Sequence, residues 1–238
     1  MTFVRRKSAR GRGKADPRKS DRPKSERELR ASVVATALAM ERAGFAVAKS
    51  GNVSCRFGAG MLITPSGVPY AATTPADVVS LDLDGRVVSG AREPSSEWRF
   101  HAAIYRARSE AQAVVHTHSP QATALSCARR AIPAFHYTVA LAGGNDIRCA
   151  EYATFGTQEL SDNALRALEG RRAVLLANHG VIAFDASLAA ALALAEEVES
   201  LATRYLAMLA AGLEPVILDE AEMRRVTGQF ARYKRFDG

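Results

Sequence analysis

The chain has 238 residues, 47% of them apolar and 24% charged, with three cysteines and a formal net charge of +7. That is enough apolar material for one large core, with no apolar run near the roughly 20 residues a membrane span needs. The charge is uneven: residues 1–30 hold 12 Lys+Arg against 4 Asp+Glu, which leaves 20 against 21 for the rest, so the balance speaks against a nucleic-acid-binding face.

Residues 1–24 are rich in Arg, Lys, Ser, Pro and Gly and carry few apolar side chains, which predicts a disordered basic extension. Arg5-Arg6 is followed by no apolar stretch of the kind an export signal requires. One folded domain is expected over 25–238. Cys55, Cys127 and Cys149 are odd in number and widely spaced, which fits reduced thiols in a cytoplasmic protein better than a disulfide framework.

Order is expected from Ser25, which forms a capping box with Glu28. Leu29, Val33, Leu38 and Met40 mark an amphipathic helix that stops at Gly44. Ser50 to Ser54 reads as a loop entering a strand, and Met61 to Ile63 as a strand ending in the turn Thr64-Pro65-Ser66-Gly67. Asp82 to Val88 predicts a hairpin turning at Asp84-Gly85. Pro94-Ser95-Ser96-Glu97 reads as a helix start, with the helix running through Trp98, His101, Ile104 and Tyr105. A strand carrying His116 and His118 follows, then a helix from about Gln121 and a strand around His136-Tyr137. A turn at Gly143-Gly144 precedes a helix over Glu159 to Leu168. Short strands over Ala173 to Leu176 and Val181 to Phe184 flank Asn178-His179-Gly180. A long helix spans Leu188 to Ala211, and a last one Glu220 to about Tyr233. Tight turns between strands favour a mixed or antiparallel sheet covered by helices.

His116 and His118 share one face of a strand, and two adjacent imidazoles make better metal ligands than core material. With His179 they number three neutral nitrogens, the donor set of a catalytic zinc site. His179 also reads as a turn residue beside Gly180. Glu97 stands where backbone N–H groups favour an anion, as a first-turn charge or as a general base near a metal. Ser95 and Ser96 read as caps or, with Asn52, Ser66 and Gly67, as a phosphate cradle. His101 has no evident partner in the sequence and reads as structural, and His136 as packed.

Taken together, Gly51-Asn52, Thr64-Pro65-Ser66-Gly67, Pro94-Ser95-Ser96-Glu97-Trp98, His116-Thr117-His118 and Asn178-His179-Gly180 resemble the zinc-dependent class II sugar-phosphate aldolase and epimerase family. The resemblance spans about residues 25–236. It is nearer to the L-fuculose-1-phosphate aldolases than to the L-ribulose-5-phosphate 4-epimerases, which tend to carry Asp after the two serines. It implies a single-domain three-layer α/β/α fold around a mostly antiparallel sheet, and a C4 homotetramer with active sites between subunits. It implies one Zn²⁺ per chain on His116, His118 and His179. Glu97 would be the fourth ligand at rest and the base once substrate binds. Asn52, Ser66, Gly67, Ser95 and Ser96 would hold the substrate phosphate. Tyr137 would act on the aldehyde oxygen of a neighbouring subunit's site, and Phe155, Phe230 and Tyr233 would wall the aldehyde side. The implied reaction is aldol cleavage of a ketose 1-phosphate to dihydroxyacetone phosphate and an aldehyde. The alternatives are a 4-epimerase or related pentulose-phosphate aldolase, and a metal-free structural relative. Lys49 departs from the family, which often has a small hydroxyl residue near that position.

Overall fold

A computed structural model describes residues 25–47 and 49–233. The basic extension lies outside the described residues. Helix α1, Glu26–Arg42, starts with the expected reciprocal cap: Ser25 N–H donates to Glu28 Oε2 at 2.7 Å and Glu28 N–H to Ser25 Oγ at 3.3 Å. Strands β1 (Asn52–Phe57), β2 (Gly60–Ile63), β3 (Val79–Leu81) and β4 (Val87–Ser89) follow. The β3–β4 pair is the expected hairpin, with Gly85 at φ 86° and Asp82 Oδ1 accepting from Arg86 N–H at 2.9 Å.

Next come α2 (Trp98–Ala107), β5 (Ala113–Thr117), α3 (Pro120–Cys127), β6 (Ile132–Pro133), β7 (Asp146–Ile147), β8 (Cys149–Ala150), α4 (Gln158–Ala167), β9 (Ala173–Leu176), β10 (Gly180–Asp185), α5 (Leu188–Ala210) and α6 (Glu220–Tyr233). The strand expected at His136-Tyr137 is not formed. His136 caps a 3₁₀ turn over Tyr137–Ala142, its Nδ1 accepting from Thr138 N–H, and the nearby strand is the two-residue β6, paired with β7.

Eight strands form the sheet, in the order β4-β3-β2-β1-β5-β10-β9-β8. Every pair is antiparallel except β8 with β9. Side-chain alternation splits the core. Ala113 and Val115 of β5 and Val181 and Ala183 of β10 pack toward α1 and α5. Val114, Ile182 and Phe184 pack toward α2 and α4, against Phe100, Ile104 and Leu160. The result is the three-layer α/β/α arrangement with a mostly antiparallel sheet. No helix among the described residues is long and apolar enough to cross a membrane.

Candidate active site

β5 lies in the middle of the sheet, and His116 sits opposite Asn52 of β1 and Ile182 of β10. Its face is the α2 side, where its ring meets Phe100 edge-on at 5.3 Å between centroids. His116 is fully buried, and its Nδ1 lies 2.8 Å from the Val181 carbonyl oxygen. A carbonyl only accepts, so Nδ1 carries the proton and Nε2 keeps its lone pair. That lone pair faces His118 Nε2 at 3.1 Å and Glu97 Oε2 at 3.3 Å. His179, in the turn between β9 and β10, brings its Nε2 to 3.2 Å from Glu97 Oε1, an approach without hydrogen-bond alignment.

The three histidines offer ligand atoms within 4.8 Å of one another. A lone pair and a carboxylate oxygen facing each other across 3.3 Å are two acceptors without a proton between them. A divalent cation resolves that conflict, so these residues fit a metal, with the carboxylate in reach as a further ligand.

Two glycines allow this convergence. A Cβ on Gly51, at φ 76°, would lie 2.6 Å from the His116 carbonyl oxygen. A Cβ on Gly180 would lie 2.3 Å from the Thr117 carbonyl oxygen and against the rings of His118 and His116. Gly51→Ala is therefore expected to lower stability by about 1–3 kcal/mol, from the left-handed backbone and the clash together, and to reduce metal content by displacing β1 from β5. Denaturant unfolding with metal analysis checks this; unchanged values for both would contradict it. Beyond His118, Ser119 caps α3 without a side-chain bond. Glu199 of α5 does that work instead, its two carboxylate oxygens accepting from Gln121 N–H and Ala122 N–H, each at 2.8 Å.

Glu97 occupies the residue before α2, and Ser95 Oγ accepts its N–H at 3.3 Å. Asn52 Nδ2 donates to its Oε2 at 2.9 Å. Burial pushes the His118 ring down to about 3, so it is the neutral, ligating form at pH 7.

These groups form the floor of a cavity of about 390 Å³. Asn52, Ser66, Gly67, Ser95 and Ser96 all line it, as do Glu97, His118, His179 and Phe155. Lys49, at φ 74°, is the one basic side chain of the lining among the described residues. Tyr152 also lines the cavity and was not singled out by the sequence reading; Asn178, given there only as part of the Asn178-His179-Gly180 motif, lines it as well. Tyr137 and Phe230 are not part of the cavity: they stack on each other, centroids 6.1 Å apart, with Tyr137 51% exposed. Tyr233 closes α6, and its side chain lies outside the described residues. His101, read as structural with no evident partner in the sequence, does have partners in the fold. Its ring is fully buried and bonded at both nitrogens, to Asn52 Oδ1 and Ser54 Oγ.

A sheet-centred trio of imidazoles, a buried carboxylate and a polar-walled cavity define a metal-dependent enzyme. Residues 31–206 match the family described as the class II aldolase and adducin N-terminal domain. The chain is 51% identical over 211 residues to a 5-methylthioribulose-1-phosphate/5-deoxyribulose-1-phosphate aldolase of Rhodospirillum rubrum, covering 89% of this chain and 95% of that one. It is 47% identical over 206 residues to the L-fuculose phosphate aldolase of Escherichia coli K12, covering 87% and 95%. A solved L-fuculose 1-phosphate aldolase superposes with a TM-score of 0.83 at 40% identity, covering 85% of this chain and 96% of that one. The chain belongs to the class II aldolase family and is an aldolase, a lyase of the metal-dependent class.

Proposed function

We propose that the enzyme catalyses reversible aldol cleavage of a ketose 1-phosphate to dihydroxyacetone phosphate and an aldehyde. The observation that carries this reading is the meeting of His116, His118, His179 and Glu97 beneath a rim made of Asn52, Ser66, Gly67, Ser95 and Ser96. The three histidines hold one Zn²⁺ per chain, with Glu97 as a fourth ligand at rest. When bound, the metal supplies Lewis-acid stabilisation of negative charge developing on substrate oxygens.

The rim hydroxyls and backbone N–H groups, with Lys49, bind the phosphate and place C3 of the sugar beside Glu97. In the cleavage direction the C4 hydroxyl passes its proton to the Glu97 carboxylate, and the C3–C4 bond breaks. The electron pair left on the dihydroxyacetone phosphate half is then protonated at C3 by Glu97. In the synthetic direction the Glu97 carboxylate removes that same proton. Tyr137 of a neighbouring subunit steadies the aldehyde oxygen; Phe230, stacked on it, and Tyr233 come from that subunit too, and with Phe155 of the cavity they wall the aldehyde side. The exposure of Tyr137 and its distance from its own chain's cavity support a site completed by a second copy. Light scattering on active enzyme is expected to give a tetramer; an active monomer would contradict the arrangement.

The substrates named for the relatives share one end, a ketose 1-phosphate, and differ beyond the breaking bond. The R. rubrum relative at 51% identity favours 5-methylthioribulose or 5-deoxyribulose 1-phosphate as a second reading beside L-fuculose 1-phosphate. A panel of these three, assayed for dihydroxyacetone phosphate release, ranks them by kcat/KM. Release from none of them, with epimerisation of L-ribulose 5-phosphate, would replace the cleavage reading with that of a 4-epimerase.

A further inference from the structure

Behind Glu97 and Asn52 runs a buried line of polar side chains, His101, Ser54 and Tyr105, that the proposed reaction does not use. Glu97, the residue before α2, and His101 and Tyr105 within it are spaced four apart, along one helix face. β1 places Asn52 and Ser54 two residues apart, on the strand face turned toward α2. The two rows interlock. Asn52 Nδ2 lies 2.9 Å from Glu97 Oε2, and Asn52 Oδ1 lies 2.5 Å from His101 Nε2. His101 Nδ1 lies 2.7 Å from Ser54 Oγ, which in turn lies 2.8 Å from Tyr105 Oη. All five residues are less than 10% exposed.

The donor of each bond follows from its neighbour. A carboxylate accepts, so the Asn52 amide turns its NH₂ to Glu97 and its oxygen to His101. That oxygen also accepts, so His101 carries its proton on Nε2 and keeps a lone pair on Nδ1. Ser54 must then donate to Nδ1 and accept from Tyr105. Burial pushes the Tyr105 phenol above its ordinary range and the His101 ring down to about 3, so at neutral pH the phenol keeps its proton and the ring is neutral. Every group in the line has one role, and reversing any bond sets two acceptors or two donors face to face.

We infer that His101 is a positioning residue for the reaction: its Nε2–H fixes the Asn52 amide in the orientation that steers the Glu97 carboxylate, and Ser54 and Tyr105 fix His101 in the tautomer that does so. The Asn52 NH₂ has a second proton, which leaves it able to serve the phosphate while one N–H holds Glu97. Without His101 the amide is free to turn its oxygen toward Glu97, where it repels the carboxylate. The base then loses a defined position while the phosphate rim stays intact. This role rests on Glu97 acting as the base.

The test has a spectroscopic and a kinetic arm. Long-range ¹H–¹⁵N spectra of histidine-labelled, metal-loaded protein assign His101 by its absence in His101→Gln. The expected result is the Nε2–H tautomer; an Nδ1–H tautomer overturns the proposal whatever the substrate. In the kinetic arm, His101→Leu is expected to lower kcat about 10–10²-fold with KM and metal content within about threefold of wild type. His101→Gln, whose amide again donates toward Asn52, is expected to recover most of that loss. Equal losses in the two variants, or a loss confined to KM, overturn it. If His101→Leu does not fold, Ser54→Ala takes its place: a fall in kcat at constant KM supports the proposal, and wild-type kcat overturns it. Normal exchange of the C3 proton of dihydroxyacetone phosphate in metal-loaded Glu97→Gln would instead reject Glu97 as the base, a result separate from the tautomer.

Discussion

Glu97→Gln is expected to lower kcat by about 10²–10⁴ while the protein keeps most of its metal. Glutamine matches glutamate in shape, so the carbonyl of its amide still accepts from Asn52 Nδ2, which lies 2.9 Å from Glu97 Oε2. His116, His118 and His179 remain, and His116 is fixed by Val181 independently of Glu97. The amide has no basic lone pair of carboxylate strength, so the C3 proton has nowhere to go. Binding is expected to change little, because the residues proposed to hold the phosphate are Asn52, Ser66, Gly67, Ser95 and Ser96 rather than Glu97. Turnover, metal content and exchange of the C3 proton of dihydroxyacetone phosphate are measured on the same sample. Normal turnover in metal-loaded Glu97→Gln would make Glu97 only a ligand, and the base would have to be sought elsewhere.

Metal removal is the second large effect. A chelator-washed sample is expected to fall to background turnover and to melt at a lower temperature, with both restored by Zn²⁺. Unprotonated His116 Nε2 faces Glu97 Oε2 at 3.3 Å, an arrangement of like partners that a cation turns into a favourable one. Free metal at about 1,000 times its Kd stabilises a fold by about 4 kcal/mol, which is a readable shift in a thermal melt. His118→Ala removes one of three imidazoles and is expected to lose the metal and the shift together. Full turnover in a verified metal-free sample would dispose of the metal site.

The parts of the fold that the sequence announces are those with local causes. The cap at Ser25 and Glu28, the α5 helix and the turn at Asp84-Gly85 each rest on residues within a few positions of one another. The two-residue strands rest on distant partners instead: Ile132 pairs with Ile147 and Cys149 with Leu175, and no local pattern marks them. The apolar look of Phe135-His136-Tyr137 suggested a strand, but the backbone turns there because Thr138 N–H bonds to the His136 ring. The residues that converge, His116, His118, His179 and Glu97, and the polar lining of the cavity were readable as motifs. The line through His101 was not, although its spacings, four on α2 and two on β1, were present. What was missing is the knowledge that the inner face of β1 packs on α2, 45 residues further along the chain.

The bond from His116 to Val181 spans 65 residues, and the Glu199 clamp on the start of α3 spans 78. At ribosomal rates of about 5–20 residues per second, roughly 3–13 s pass between the synthesis of His116 and that of Val181. During that interval no carbonyl holds the ring, and its tautomer is undefined. A nascent chain therefore offers divalent ions two loosely held imidazoles, with weak affinity and no preferred geometry. The full set of candidate ligands exists only after His179 has been made, and the bond that fixes the His116 tautomer only after Val181, so the site that could bind a metal is completed by β10 and no earlier.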